Sequence, residues 1–374
     1  MSTTAPRPLH GYTVGVTGHR RWEEQAELLA RRGAQVLHGP VMETSLLGDV
    51  DTTLRATDHV LAAPVDVTIL TTGIGVRSWF AAAESVGLDG ALRDRLNMSR
   101  ILARGPKALH AARAVGLEVG WSASSETVEE VLAEVAGSVA GRRVVVQRDG
   151  GAPIVAGAIS AAGATDVVDV AIYEWHLPID ARPAQRLLDA AAHGDVDALT
   201  FTSSYAVGNA FAISDDTAVL VDALNGPVLA AAVGPVTAGA LRDHGVHHVV
   251  EPNTARLGAM VHVLTRTLAA RSRTLTFEGV SCTWQGALLV DAAGNQVDLT
   301  TGERRLLRTL ADRSPAVVAK EELGEDGVDG HAVESAVARL RAKLGPLGRG
   351  IRTVRRRGYA CELRARPVVA GLGS

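Results

Sequence analysis

The chain has 374 residues, 47% of them hydrophobic, few aromatics and a formal net charge of −3. That length suits two or three compact units with buried cores, and the composition excludes disordered, collagen-like and disulfide-rich classes. The two cysteines, Cys282 and Cys361, make neither a disulfide framework nor a zinc set; they read as buried free thiols, and no metal or cofactor is expected.

The opening residues Met1 to Gly11 lack the basic-then-apolar layout of a secretory signal, and no apolar run approaches a membrane span. The expectation is a soluble cytoplasmic protein with no membrane partner. Tyr12-Thr-Val-Gly-Val-Thr-Gly-His-Arg-Arg21 opens a first strand–helix unit, and a second strand follows Gly33-Ala34. A phosphorelay receiver would place paired acids after its first strand. Here that strand ends Thr17-Gly18-His19-Arg20, so this is not a standard response regulator.

The body repeats itself. Asp66-Val-Thr-Ile-Leu-Thr-Thr-Gly-Ile-Gly-Val76 matches Asp197-Ala-Leu-Thr-Phe-Thr-Ser-Ser-Tyr-Ala-Val207, each an apolar strand, a Thr/Ser/Gly turn and a helix. Gly105-Pro-Lys-Ala…Gly116 matches Gly234-Pro-Val-Thr-Ala…Gly245 with equal Gly-to-Gly spacing. Arg142-Arg-Val-Val-Val-Gln-Arg148 opens another unit, with Gly163-Ala164 before its second strand. Strands alternating with helices at this spacing predict parallel sheets in two similar doubly wound α/β domains.

Such strand ends offer four helix N-termini, at Thr72-Gly73, Gly105-Pro106, Ser203-Ser204 and Gly234-Pro235. Free N–H groups and the positive dipole end suit an anion, and Arg20, Arg77, Arg104, Lys107 and Arg148 lie nearby in sequence. Gly, Ser and Thr after a strand are equally ordinary turn and capping residues. His247-His248 sit on a strand whose neighbours face opposite ways and read as surface; Asp215-Asp216 read as a solvated turn.

This ordered set resembles uroporphyrinogen-III synthase, which closes the linear tetrapyrrole hydroxymethylbilane with inversion of its last ring. Thr202-Ser203-Ser204-Tyr205-Ala206-Val207 and Gly234-Pro235-Val236-Thr237-Ala238 are its sharpest motifs here. The resemblance implies two doubly wound parallel-sheet domains joined by a two-strand crossover. Residues 1–40 and 178–268 would form the first, discontinuous domain and residues 44–173 the second. It implies ligand contacts from Arg20, Thr72, Gly73, Arg104, Lys107, Arg148, Thr202, Ser203, Ser204 and Thr237. It also implies a catalytic Tyr173 if activity is retained; the plain alternative is a half-buried strand tyrosine. The chain departs from the family pattern at Gly105-Pro-Lys-Ala-Leu109, where Ala108 replaces a Thr, and at Thr71-Thr-Gly-Ile-Gly-Val76. Losing hydroxyls while gaining cations favours binding an acidic tetrapyrrole over converting it.

Residues 265–275 read as a helix end running into a short polar link, and residues 276–366 as an α+β module. From Asp298 to Arg366 there are 15 basic and 10 acidic residues, so this stretch carries +5 and the rest −8. His331 to Leu344 is helical by period, with Val333, Val337, Leu340 and Leu344 on one stripe and Ser335, Ala338, Arg339 and Ala342 opposite. A Gly/Pro break precedes Ile351-Arg-Thr-Val-Arg-Arg-Arg-Gly-Tyr-Ala-Cys361, which reads as a basic hairpin.

Together with Leu299-Thr-Thr-Gly-Glu303, this run resembles the C-terminal winged helix of OmpR-type response regulators. The resemblance implies double-stranded DNA as partner and contacts from Ser335, Arg339, Arg341, Lys343, Arg355, Arg356, Arg357 and Tyr359. For any one of these residues the plain alternative is a solvated basic face. The whole chain is similar to synthase-fused regulators of actinobacteria. That likeness implies a transcriptional regulator sensing an acidic tetrapyrrole-like molecule, control of nitrite or nitrate assimilation, and other transcription regulators as partners. The alternative is an active, bifunctional uroporphyrinogen-III synthase carrying a DNA-binding appendage.

Overall fold

Val67–Leu70, Ala198–Phe201 and Leu229–Ala232 are strands buried at every position, as parallel strands covered on both faces must be. The computed structural model describes residues 7–46, 50–148, 150–151, 153–324 and 330–367. The start of the expected first domain, residues 1 to 6, lies outside the described residues. The chain divides into two units, one of Glu43–His176 and one of Met1–Met42 with Leu177–Ser374.

The Glu43–His176 unit holds a parallel five-stranded sheet in the order Val119–Ser122, Arg100–Ala103, Val67–Leu70, Arg143–Gln147, Asp166–Val170. Alternate side chains serve opposite faces. Leu70, Ile101, Val145 and Val168 pack with Val60, Val76, Trp79, Leu92 and Ala111 from four helices, Val50–Ala62, Gly73–Glu84, Asp89–Asn97 and Pro106–Ala114. Val67, Ile69, Val144 and Val146 pack with Val131, Val135, Val155 and Ile159 from Val128–Val135 and Ile154–Ala161. The fully buried Trp79 still has a polar partner, its indole N–H donating to the Thr57 hydroxyl at 2.9 Å. Where the chain enters and leaves, Glu43–Leu46 and Tyr173–His176 form an antiparallel ribbon with Leu46 opposite Tyr173.

The other unit contains a second doubly wound sheet, in the order Val249–Val250, Leu229–Ala232, Ala198–Phe201, Thr13–Val16, Gln35–His38, all parallel. Val14, Val16, Ala198 and Ala231 form a core with Leu29, Met260, Val261 and Leu264 from Trp22–Ala30 and Leu257–Ala269. The pairing of Val14 with Ala198 ties the chain's beginning to residues that follow the Glu43–His176 unit.

The segment expected as a link, 265–275, is helix up to Ala269 and strand from Arg273, leaving only Ala270 to Ser272 between. Thr265 and Leu268 face the core, which is why the helix runs on past the polar residues. Beyond it lies an antiparallel sheet in the order Gln296–Asp298, Leu288–Asp291, Val280–Gln285, Arg273–Phe277, Arg364–Pro367. It is followed by helices Thr301–Asp312, Lys320–Leu323 and Gly330–Leu344 and a three-stranded sheet of Val317–Val318, Gly358–Cys361 and Ile351–Val354. Val333, Val337, Leu340 and Leu344, the apolar stripe of the last helix, join Leu306, Leu310, Trp284 and Tyr359 in one core. Thr301–Asp312 begins with a capping box: the Thr300 hydroxyl accepts from the Glu303 amide, and the Glu303 carboxylate accepts from the Thr300 amide at 2.8 Å.

This C-terminal part packs directly on the doubly wound sheet of its own unit. Arg304 pairs with Asp197 at 2.6 Å, with both side chains under a tenth exposed. The Gln285 side-chain amide donates to the Pro8 carbonyl at 2.9 Å, and the Ala287 amide donates to the Gly11 carbonyl at 2.7 Å. At that crossing a Cβ on Gly286 would lie 2.3 Å from the Gly11 oxygen, so only glycine lets the backbones meet.

Candidate ligand-binding turns and nucleic-acid interface

In the Glu43–His176 unit, Thr72 caps Gly73–Glu84: its hydroxyl accepts from the Gly75 amide at 3.1 Å. The Thr72 amide donates to Gln147 Oε1 at 3.1 Å, and the Thr71 hydroxyl donates to the Gln147 carbonyl at 2.7 Å. Gln147, fully buried at the end of Arg143–Gln147, therefore organises the whole turn, and sequence reading overlooked it. Its only signal was a polar residue closing an otherwise apolar strand. Gly73 has a packing reason to be glycine, since a Cβ there would lie 2.4 Å from the Lys107 carbonyl oxygen. The same close approach brings the N-terminus of Pro106–Ala114, with Lys107 exposed and Arg104 half-buried before it, beside the Thr72 turn. Ala108 is buried. Arg148 is committed within the unit, pairing with Asp169 at 3.1 Å and donating to the Gly151 carbonyl at 2.7 Å. Tyr173 opens the ribbon strand opposite Leu46; its side chain lies outside the described residues.

In the other unit, Ser203 caps Ser204–Ile213, accepting from the Ala206 amide at 3.1 Å, and its hydroxyl also reaches Met42 Sδ at 3.7 Å. Ser204 is the helix's first residue, and Thr202 is half-buried against Gly18. Thr237 is buried in the first turn of Pro235–Asp243. Arg20 is exposed in the turn after Thr13–Val16. That turn is held by His38, a second residue that sequence reading missed: its Nε2 meets the Gly18 carbonyl at 2.9 Å and its ring stacks on Trp22 at 4.0 Å. Burial lowers the His38 pKa, which favours the neutral ring in this role. Each unit thus presents two helix N-termini at strand ends, one capped by a hydroxyl side chain and one opening Gly-Pro, whose N–H and O–H groups can donate to an anionic ligand.

His247 and His248 are exposed. Asp216 is more than a solvated turn residue: it caps Thr217–Asn225, accepting from the Ala218 and Val219 amides at 3.0 and 3.1 Å. Both cysteines are buried and free, and burial pushes the Cys282 thiol up to about 11. Among the described residues no His/Cys/Asp/Glu group could hold a metal, and no helix is long and apolar enough to cross a membrane.

In the C-terminal part, Gly330–Leu344 exposes Ser335, Ala338, Arg339 and Ala342 opposite its buried stripe. Ile351–Val354 and Gly358–Cys361 pair as a hairpin whose tip exposes Arg355, Arg356 and Arg357. A small-residue helix face flanked by an arginine, beside a cationic hairpin tip, suits a major groove and its phosphates. The other predicted contacts are engaged in holding this frame. Arg341 donates to the Ile351 carbonyl at 2.9 Å and the Thr353 hydroxyl at 3.0 Å, and lies 5.6 Å over the Tyr359 ring. Tyr359 is buried in the core. Lys343 donates to Glu303 at 2.6 Å and to the Asp298 carbonyl at 2.8 Å, tying Gly330–Leu344 to the capping box of Thr301–Asp312.

Comparison with known proteins agrees with this division. Residues 23–262 match uroporphyrinogen-III synthase HemD, and residues 294–361 match the C-terminal domain of transcriptional regulatory proteins. A mutant uroporphyrinogen III synthase of the extremely thermophilic bacterium Thermus thermophilus is similar at a TM-score of 0.60 and 32% identity, covering 69% of this chain and 98% of its own. YjjA of Bacillus subtilis, an uncharacterized protein, is 28% identical over 260 residues, 68% of this chain and 94% of its own. The chain belongs to the uroporphyrinogen-III synthase HemD family and joins that synthase-like module to the DNA-binding C-terminal domain of a transcriptional regulator.

Proposed function

We propose that the synthase-like module binds an acidic tetrapyrrole or a related polyanion and thereby adjusts DNA binding by the C-terminal domain, in the cytoplasm. One strand carries this reading. Ala198–Phe201 starts beside Asp197, which Arg304 of the DNA-binding domain grips, and ends at the Ser203 cap. A ligand that draws on the Ser203 turn therefore acts on an element held at its other end by the helix that supports the DNA-reading part. Control of nitrite or nitrate assimilation genes, with other regulators as partners, completes the proposal.

The test is DNA affinity of the full chain with and without uroporphyrinogen III. A change of about 5-fold or more is expected, matched by an equal effect of DNA on ligand affinity, because a coupling free energy acts on both sites. Ligand binding with unchanged DNA affinity would refute the proposal.

A second reading, conversion of hydroxymethylbilane, is favoured by the intact Ser203 cap and the buried Thr237 at its helix N-terminus. Against it stand Ala108 and a Gly73 position too crowded for a hydroxyl-bearing side chain. We expect the purified protein and its Tyr173→Phe variant to give only the spontaneous I isomer. Rapid formation of the III isomer, lost in the variant, would make the chain an enzyme with a regulatory domain.

A further inference from the structure

The helix Thr301–Asp312 presents Arg304, Arg308 and Asp312 at four-residue spacing, one stripe whose Arg304 end meets the synthase-like sheet and whose Asp312 end meets the C-terminal sheet. The outer two are paired: Arg304 with Asp197, and Asp312 with Arg273. The middle one is not. Among the described residues, half-buried Arg308 makes no hydrogen bond or ion pair, while Arg304 sits one turn away with the same charge. Like charges at this spacing repel, and desolvation followed by the Arg304 charge pulls the Arg308 pKa down.

Arg308 borders a cavity of about 520 Å³ whose walls include Tyr12, Asp197, Arg271, Ser272 and Asp312. It also borders a second cavity, of about 470 Å³, with His193, Thr301 and Arg305. Arg271 reaches the first cavity from the synthase-like side, anchored by a 2.6 Å bond from its Nη1 to the Pro227 carbonyl. Four guanidiniums (Arg271, Arg273, Arg304 and Arg308) thus meet only two carboxylates (Asp197 and Asp312) around this junction.

We infer that the junction cavity is a binding site for a compact oxyanion, a phosphate or a small dicarboxylate, held between Arg308 and Arg271. The planar guanidinium of Arg308 matches two oxygens of such a group. The anion adds counter-charge to that of Asp197 and Asp312, whose carboxylates act on Arg308 from a distance without a hydrogen bond. Because its two walls come from the synthase-like sheet and the DNA-binding domain, the bound anion clamps one on the other. This site is independent of the tetrapyrrole reading and is tested without DNA or pigment.

The experiment measures thermal stabilisation and calorimetric binding of inorganic phosphate and of succinate to the full chain, at ionic strength fixed with chloride. Saturable stabilisation by one or both is expected, and which of them binds tells phosphate from carboxylate chemistry. Arg308→Gln and, on the opposite wall, Arg271→Gln should each weaken binding 10-fold or more. Arg113→Gln, in the Glu43–His176 unit, should leave it unchanged. Should Arg308→Gln not fold, Arg271→Gln decides alone. No anion exceeding chloride, or equal binding by Arg271→Gln and Arg113→Gln, would overturn the inference.

Discussion

Replacing Asp197 with Ala should be among the most damaging single changes in the chain. Asp197 is buried, accepts from the Thr13 amide at 2.8 Å and pairs with an equally buried Arg304 at 2.6 Å. Burial pushes its carboxyl up against the pull of Arg304, the Thr13 amide and Arg308 and wins, so the pair does not fully offset its own desolvation. The damage comes from what stays behind: a guanidinium without a counter-ion, one turn from Arg308. Breaking a buried pair from one side costs about 3–5 kcal/mol. For a unit of this size that lowers its melting transition by about 6–20 °C. Calorimetry of the full chain reads this directly, with the transition of Glu43–His176, which contains neither residue, as internal reference. Hydrogen exchange at the Ala287 amide, bonded to the Gly11 carbonyl across the same junction, should accelerate in parallel. The double change Asp197→Ala with Arg304→Met removes the orphaned charge and should recover most of the loss, since apolar replacement of a buried pair is often neutral or better. A loss below about 1 kcal/mol for the single variant, or a double variant no better than it, would refute the argument and show that water reaches Arg304 freely.

The other expectations concern the DNA-binding part and one turn. Arg356→Ala and Arg357→Ala should weaken binding alike on all duplexes and each flatten the slope of log K against log salt by about 0.9; anisotropy titrations at several salt concentrations check this. Arg339→Ala or Ser335→Ala should instead change base preference, at about 1–3 kcal/mol of discrimination per lost contact; equal losses on specific and random DNA remove them from the reading face. Glu303→Gln tests the capping box against pH. Burial would raise the Glu303 carboxyl, but Lys343 and the Thr300 amide outweigh it, so its folded value is lowered. The stability it adds is therefore complete above its unfolded value of about 4.3 and is lost as pH falls through the lower folded value. Between pH 6 and pH 3 the melting advantage of the native chain over Glu303→Gln should shrink; a constant gap would point to packing alone. Gly73→Ser forces a Cβ to within 2.4 Å of the Lys107 carbonyl and should cost about 1–3 kcal/mol, seen as a lowered melting transition of the Glu43–His176 unit.

What could be read before the structure was known was periodicity. Val333, Val337, Leu340 and Leu344 repeat at helical spacing and are buried together, and the matched Asp66–Val76 and Asp197–Val207 runs are strand, cap and helix in both units. Both follow from local pattern, which a single sequence carries. Roles set by partners distant in the chain were not legible. Arg341 and Lys343 belong to a basic run that suggested DNA contacts, and the sequence did not show that they also bond Ile351, Thr353, Glu303 and Asp298. Gln147 and His38 carried no motif because what they organise, the Thr72 and Gly18 turns, comes from other strands.

The same reasoning explains why the junction escaped notice. Arg304, Arg308 and Asp312 lie on the most polar-looking face of their helix, and a polar stripe normally faces water. Here it faces Asp197, more than a hundred residues earlier. A charge turned inward toward another module is set by its partner there, so a change at Asp197 alters the counter-charge of Arg304. The helix Gly330–Leu344 is in turn tied to Thr301–Asp312 through Lys343 and Glu303. Two ion pairs therefore link the start of the Ala198–Phe201 strand to Gly330–Leu344, and under the proposed coupling Lys343→Met, which cuts the second pair without touching the first, should uncouple ligand from DNA while leaving the junction's melting transition in place. If the ligand effect on DNA affinity survives in that variant, coupling runs through the apolar core of Leu306, Leu310 and Val337 instead of through charge.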